Sequence, residues 1–305
     1  MLVEGYVNGN KVEYDNTEFE LIKEETSSYD RDFLHYIGEG ERVLNPKGNV
    51  SCFNMFNGYN GTELDLSCFD TSNVVDMKCM FSWSRNLRTL DLSNFDTSKV
   101  KDMSYMFNMC TVLEELDLSS FDTSSVTRMD VMFVNCINLK RLNLSSFNTS
   151  NVELMDGMFA HCRSLSELDL SSFDTSKVVR MDSMFLCCHN LKVLKHHFNY
   201  SSIIVDWKES PMLFESTLNS MYDECGLMDI YLTNMGKNIV ENLVNDGIFG
   251  CDVSHNIYNS SKGISIDENV YKHCMYLKHI YVDSEYLELF KEKLHYYADK
   301  LVAIK

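Results

Sequence analysis

The chain has 305 residues, 45% of them hydrophobic, and a formal net charge of −18 at pH 7. This length and apolar content suffice for a large core. The negative charge argues against direct binding of nucleic acid or of an anionic membrane, since both require basic patches, and it suits a protein partner with a basic surface. No apolar run approaches the roughly 18 residues of a membrane-spanning helix, so membrane insertion is not expected.

Two features of residues 1–50 predict an N-terminal cap. Asn8-Gly9 lies between two alternating segments, which is typical of a β-hairpin, and a helical apolar spacing follows from residue 17 to 37. Because the end of a stack of strands leaves core and strand edge open, we expect a hairpin and a helix to cover it. The first residues lack the basic and apolar regions of a secretory signal, so the sequence as it stands predicts a cytoplasmic protein.

A 26-residue unit recurs five times between Leu64 and Leu194 and sets the architecture of residues 51–194. The second copy reads LDLSNFDTSKVKDMSYMFNMCTVLEE. Its Leu-x-Leu alternation predicts a short strand, its Phe-Asp-Thr-Ser segment a turn, and its later apolar spacing of about three a short α-helical or 3-10 segment. Such units bury their apolar face only against their neighbours, which predicts a stacked solenoid with a continuous parallel sheet and one strand per repeat.

Two apolar columns recur at fixed positions of the repeat. The Met-Phe pairs are 80/81, 106/107, 132/133, 158/159 and 184/185, and the cysteines are Cys110, Cys136, Cys162 and Cys188. The Met-Phe stripe resembles a cofactor box or a soft binding surface, but unbranched methionine also fills irregular gaps in a core. We interpret both columns as core, with small buried thiols.

After Leu194 the repeat register is lost and later resumes. Residues 195–265 are interpreted as irregular repeats with insertions, in which the sequence MYDEC recovers the Met-Phe-x-x-Cys pattern. Residues 266–305 are interpreted as a terminal repeat followed by a capping helix.

The repeat resembles that of the BspA-like leucine-rich-repeat proteins, a bacterial surface-protein repeat of the form L-x-L-S-x-F-D-T-S-x-V-x-x-M-x-x-M-F-x-x-C-x-x-L. All five units follow this form, and the segment after residue 266 is similar to the BspA-type terminal repeat. The resemblance implies an α/β solenoid, a right-handed leucine-rich-repeat-like stack with short helical or 3-10 segments opposite the strands. It also implies surface display, adhesion and protein binding, and it brings no catalytic residues.

The residues beside the strand leucines are predicted to face away from the core, and most of them are acidic. This strand-face stripe, interrupted by one arginine, consists of Glu63, Asp65, Asp91, Glu115, Asp117, Arg141, Glu167 and Asp169. Carboxylates on neighbouring strands would lie about 4.8 Å apart and repel each other unless they accept hydrogen bonds or meet cations. The stripe is either a binding surface for a basic protein or a structural ladder bonded to serines and backbone.

A second column varies while its neighbours stay constant. It consists of Trp83, Met109, Asn135, His161 and Cys187. Either binding specificity resides in this variable column, or Trp83, at its N-terminal end, packs against the cap.

Neither metal binding nor catalysis is expected. Six residues are of metal-ligand type, but their spacing matches no standard zinc pattern, and no cofactor is predicted: His161, Cys187, Cys188, His189, His196 and His197. No nucleophile elbow, phosphate loop or H-E-x-x-H motif occurs. Eleven cysteines without a C-x-x-C pair do not form a disulfide framework and favour a reducing compartment.

Two functions remain open at this point. The first is a non-enzymatic protein-binding scaffold of the BspA-like type, acting in adhesion or partner interaction. The second is an intracellular acidic inhibitor or effector, of the kind carried by mobile elements, that blocks a basic surface of a host protein. The cytoplasmic prediction favours the second function, whereas the surface location implied by the resemblance favours the first.

Overall fold

The structure is a computed structural model. It describes residues 2–7, 10–15, 34–35, 50–67, 69–200, 221–222, 225–227, 229–232, 235, 240 and 277–305. The strands before the last repeat are β1 (Leu2–Val7), β2 (Asn10–Asp15), β3 (Leu34–His35), β4 (Val50–Ser51), β5 (Glu63–Leu64), β6 (Val74–Asp76), β7 (Thr89–Leu90), β8 (Glu115–Asp117), β9 (Arg141–Asn143), β10 (Glu167–Leu170) and β11 (Val193–His196). The later elements are β12 (Asp229–Leu232), β13 (His279–Asp283), a 3-10 helix (Ser284–Tyr286), helix α1 (Leu287–Lys293), a second 3-10 helix (His295–Lys300) and β14 (Leu301–Ile304).

The N-terminal strands form a small antiparallel sheet. Strand β1 pairs antiparallel with β2, which is the pairing expected of a hairpin across Asn8-Gly9. Strand β1 also pairs antiparallel with β3. The prediction of a helical spacing up to residue 37 is wrong for Leu34–His35, since these residues form a strand, and the rest of that stretch lies outside the described residues. The capping role remains a prediction.

Short parallel strands with a register of 26 residues are confirmed for residues 63–196, although the first repeat has a second strand, β6, which pairs with β4. Leu64 aligns with Leu90 in the β5–β7 pair, β8 pairs with β9, and β10 pairs with β11. The prediction of a continuous sheet is wrong, because no strand pairing in the described chain joins β7 to β8 or β9 to β10. The strands contain only two to four residues. They can separate at these two points because the repeats are also held together on their opposite side.

That opposite side consists of stacked turns, and the predicted helical or 3-10 segments are absent from residues 69–200. Single parallel bridges join Asp76, Asp102, Arg128, Leu154 and Arg180, each one repeat from the next. Along these turns the backbone N–H groups donate alternately to a carbonyl of the next repeat and to a carbonyl of the same turn.

The first repeat illustrates this alternation. The N–H of Cys79 donates to the carbonyl of Ser104 in the next repeat at 2.9 Å, whereas the N–H of Met80 donates to Met77 within its own turn at 3.1 Å. Cys79 and Trp83 have positive φ angles of 56° and 63°, which interrupt any helix every four residues. An apolar spacing that fits a helix is thus realised by turns.

The core is a set of side-chain columns, as predicted for the Met-Phe pairs. Met132 and Phe133 have relative exposures of 0%, and the same holds for the equivalent residues of the other four repeats. The rings of Phe107 and Phe133 stack with centroids 5.6 Å apart and an interplanar angle of 3°. Each ring therefore packs against its counterparts above and below, so a single repeat could not exclude water from its own core.

The cysteine column is buried and also forms hydrogen bonds. The Cys136 thiol lies 3.2 Å from the carbonyl oxygen of Phe107, and the contact recurs along the column. Burial raises the pKa of Cys136 to about 12, so the sulfur stays protonated and can donate. In the first repeat the hydroxyl of Ser84 donates to the carbonyl of Phe56 at 3.0 Å in the same way.

The repeat stack continues beyond the segment 201–220, which lies outside the described residues. The N–H of Phe185 donates to the carbonyl of Met221, and the Tyr222 ring stacks on Phe185 at 5.5 Å. At Gly226 a Cβ atom would lie 2.3 Å from the carbonyl oxygen of His189, so only glycine fits. These contacts agree with the predicted return of the repeat pattern.

The C-terminal strands form a parallel sheet in the order β12–β13–β14. Helix α1 lies between β13 and β14, within the segment where the terminal repeat and its capping helix are predicted. Phe290 of α1 is fully buried. The four domain boundaries remain predictions.

We expect Cys136→Ser to retain most of the stability and Cys136→Ala to cost about 0.5–1.5 kcal/mol, because alanine removes one of two donors to the Phe107 carbonyl, which still accepts the N–H of Cys110. Urea unfolding followed by circular dichroism compares the two variants. Ser84, the residue equivalent to Cys136 in the first repeat, indicates that a hydroxyl fits this position of the repeat. Equal losses would show that the thiol acts only by filling space.

The positive-φ positions of the turns provide a second test. Gly157, with φ 57°, aligns with Ser183, with φ 54°, one repeat later. A Cβ at Gly157 would meet no atom closer than 3.6 Å, so Gly157→Ala adds backbone strain without a clash. We expect this substitution to cost about 1 kcal/mol and Ser183→Gly to stabilise the protein. Thermal melts show whether each substitution lowers or raises the melting temperature. If Gly157→Ala leaves the melting temperature unchanged, the positive φ angle at residue 157 is contradicted.

Candidate functional site

The strand face carries two neighbouring grooves. The N-terminal groove, of about 670 Å³, is lined by Glu63, Leu64, Asp65, Arg88, Thr89, Leu90, Asp91, Val112, Glu114, Glu115 and Asp117. The C-terminal groove, of about 490 Å³, is lined by Glu115, Leu116, Asp117, Lys140, Arg141, Leu142, Asn143, Glu167, Leu168, Asp169, Val193 and Lys195. The structure thus places the whole strand-face stripe around these two grooves.

The aspartates of the stripe have a structural role as well as an exposed position. Asp65 Oδ1 accepts a hydrogen bond from the N–H of Ser67 at 3.0 Å, and Asp91 and Asp117 accept equivalent bonds. These hydrogen bonds lower the pKa of each carboxyl below its usual value, so the charges persist at neutral pH. Asn143 holds the same turn in the fourth repeat at 3.1 Å, which shows that the amide can replace the carboxylate.

Cations of the same chain neutralise part of the stripe. Lys140 lies 2.8 Å from Glu114, and Arg141 pairs with Glu115. The Lys195 ammonium lies 3.0 Å from Asp169, whose pKa is lowered to about 2 by the hydroxyl of Ser171 and then by Lys195.

Sequence reasoning missed Lys140 and Lys195, although a signal was present. In a stack with a 26-residue register, residues i and i+26 are neighbours, and each of the three ion pairs has this separation. Opposite charges one repeat apart therefore identify the pairs.

The floor of the grooves is apolar. Leu116 and Leu168 are buried, with relative exposures of 3%, whereas the corresponding Leu64, Leu90 and Leu142 are only partly buried. A partly buried leucine floor bordered by charged side chains is compatible with a protein-binding surface, since apolar contact supplies affinity and charge supplies orientation.

The variable column lies elsewhere, at positive-φ positions of the turns. The Trp83 side chain is 39% exposed, and the Arg85 guanidinium lies 4.4 Å from the centre of its ring. The backbone N–H of Trp83 donates to the carbonyl of Asn108, and the N–H groups of Met109, Asn135 and His161 donate likewise to the next repeat. The proposed packing of Trp83 against residues 1–50 lies outside the described residues.

The residues of metal-ligand type do not assemble into a site. In the part of the chain that the structure describes, no three His, Cys, Asp or Glu side chains are placed to hold a metal ion. The Cys188 thiol lies in the core, 3.1 Å from the carbonyl oxygen of Phe159.

A second group of charges, which sequence reasoning missed, lies along the stacked turns. Asp130, Asp156 and Asp182 occupy one position in three successive repeats. Arg180 Nε lies 3.2 Å from Asp156, and its Nη2 lies 2.8 Å from Asp182. Burial, a hydrogen bond with Asp182 and the nearby negative charges raise the pKa of Asp156 to about 8, against the opposing effect of Arg180. Because one guanidinium cannot neutralise both carboxyls, we infer that they share one proton.

We expect stability to fall as the pH rises from about 4 to about 8, because the unfolded chain releases the Asp156 proton near the ordinary pKa of 3.8, whereas the folded protein retains it until about pH 8. Asp156→Asn remains uncharged, so its melting temperature should exceed that of the wild type at pH 9 and approach it at pH 4. Asp122→Asn, at an exposed turn, is the control. Parallel melting profiles of wild type and Asp156→Asn would contradict the shared proton.

No curated protein matches the chain. A leucine-rich repeat protein from Bacteroides ovatus ATCC 8483 is similar in structure, with 12% identity and a TM-score of 0.33. The alignment covers 76% of this chain and 58% of that one, so the chain spans little more than half the length of this neighbour. None of the described helices has both the length and the apolar character needed to cross a bilayer.

A family model described as "Mycoplasma protein of unknown function, DUF285" matches residues 50–143 and 114–220. The two matches overlap and together cover more than half of the chain, including all five regular repeats. The chain therefore belongs to the DUF285 family of repeat proteins.

Proposed function

We propose that this protein is a non-enzymatic protein-binding scaffold, a BspA-like leucine-rich-repeat solenoid that binds its partner on the strand face. The observation that carries the proposal is the pair of adjoining grooves, in which charged side chains surround partly buried leucines. Both grooves are open and have volumes in the range of about 300–1,000 Å³ that is typical of binding clefts.

The stacked architecture supports a function in binding, because the strand face is held in place before a partner arrives. Each repeat is fixed by backbone hydrogen bonds to the next one, so the strand-face side chains are held at regular intervals before a partner arrives. A preformed surface loses little conformational entropy on association. Adhesion and the blocking of a basic host surface are both uses of such a scaffold, and the identity of the partner distinguishes them.

The test uses the full-length chain as bait in a lysate of host cells, followed by kinetic measurement with the purified partner. Replacing Asp91, Asp117 and Asp169 by asparagine should slow association severalfold, and added salt should mimic this effect, because long-range attraction steers the encounter. Asn143 indicates that the amides will preserve the turns.

The matched control removes three equivalent charges outside both grooves. Asp96, Asp122 and Asp174 accept turn hydrogen bonds from Ser98, Ser124 and Ser176, and Asn148 occupies the same position in the fourth repeat. We expect this control to bind its partner at nearly the wild-type rate. If both triple variants slow association equally, net charge alone drives binding; if neither does, the strand face is not the interface.

A further inference from the structure

The two grooves differ in charge, and we propose that a lysine- or arginine-rich segment of the protein partner docks in the N-terminal groove. The inference rests on the proposed function and deepens it, since it assigns both the chemistry of the partner and the half of the strand face that receives it.

The first step is the distribution of neutralising cations. The N-terminal groove has six carboxylates and a single guanidinium, that of Arg88, along its walls. The C-terminal groove has four carboxylates and three cations, Lys140, Arg141 and Lys195. Only the N-terminal groove therefore offers a clear excess of negative charge.

The second step concerns which carboxylates are available. Among the described residues, no lysine or arginine lies within ion-pair distance of Glu63, Asp65 or Asp91. In the C-terminal groove, Lys195 already pairs with Asp169 and Arg141 with Glu115. A basic segment entering there would compete with these internal cations and would be repelled by them.

The third step is the floor of the N-terminal groove. Leu64, Leu90 and Val112 are partly buried and line this groove together with the acidic residues. Lysine and arginine side chains combine a long apolar stem with a charged end. The stems can cover the leucines while the charged ends reach the carboxylates, so the groove matches both parts of these side chains.

The fourth step is preorganisation. The hydrogen bonds from Ser67 and Ser93 fix the carboxylates of Asp65 and Asp91 in their turns at 3.0 and 2.9 Å. Binding therefore does not need to order these acceptors, which lowers its entropic cost.

The experiment measures the binding of fluorescein-labelled deca-lysine to the full-length chain by anisotropy at low ionic strength. The test variant carries Asp65→Asn and Asp91→Asn, and the matched control carries Asp122→Asn and Asp174→Asn, which lie outside both grooves and accept equivalent turn hydrogen bonds. Both variants remove two turn carboxylates. We expect the test variant to raise Kd roughly tenfold, because it removes two of the carboxylates that attract the lysines, and the control to raise Kd less than about twofold.

Equal weakening by the two variants, or no weakening by either, overturns the assignment to the N-terminal groove. Thermal melts identify any variant that has lost its fold, and a single Asp91→Asn then replaces the double substitution. If the lysate partner still depends on the strand-face aspartates while deca-lysine does not distinguish the two variants, the scaffold function stands and this inference fails. If the partner also ignores the strand face, both fail.

Discussion

The constant 26-residue register is the constraint on which the rest of the structure depends. In each turn, every second backbone N–H donates to a carbonyl one repeat away, and the phenylalanine rings of successive repeats lie face to face. A unit of different length would leave buried N–H groups without acceptors and would misalign the ring columns. The uniform length thus follows from hydrogen bonding and packing together, and not from either alone.

Stacking also multiplies any electrostatic problem, because a charge at one position recurs about 4.8 Å away in the next repeat. The protein solves this problem in three ways. Asp65 and its equivalents accept a backbone N–H within an exposed turn, Asp169 has Lys195 one repeat later, and the partly buried Asp156 keeps a proton beside Asp182 and Arg180. Water and a turn suffice at the surface. Below the surface Asp130 is paired with Arg128, whereas Asp156 and Asp182 have one guanidinium between them.

Much of this structure could be predicted from the sequence, since strand positions, core columns and buried thiols all follow from one period. The helical segments were wrong because an apolar spacing of about three fits a helix and also fits turns whose N–H groups alternate between local and inter-repeat acceptors. Side-chain spacing does not distinguish the two. The backbone evidence lies in positive φ angles at residues such as Tyr105 and Val131, which side-chain patterns do not reveal.

The distribution of structural roles indicates where binding specificity resides. The variable column contributes its backbone to the stack, so its side chains are free to differ without loss of the fold. The strand-face aspartates recur because their carboxylates hold turns, and their recurrence alone is therefore weak evidence for a partner. The positions just before the strand leucines hold no turn and vary in charge and size: Glu63, Thr89, Glu115, Arg141, Glu167 and Val193. Glu63 and Thr89 line only the N-terminal groove, whereas Arg141, Glu167 and Val193 line only the C-terminal groove, so these side chains distinguish the two grooves.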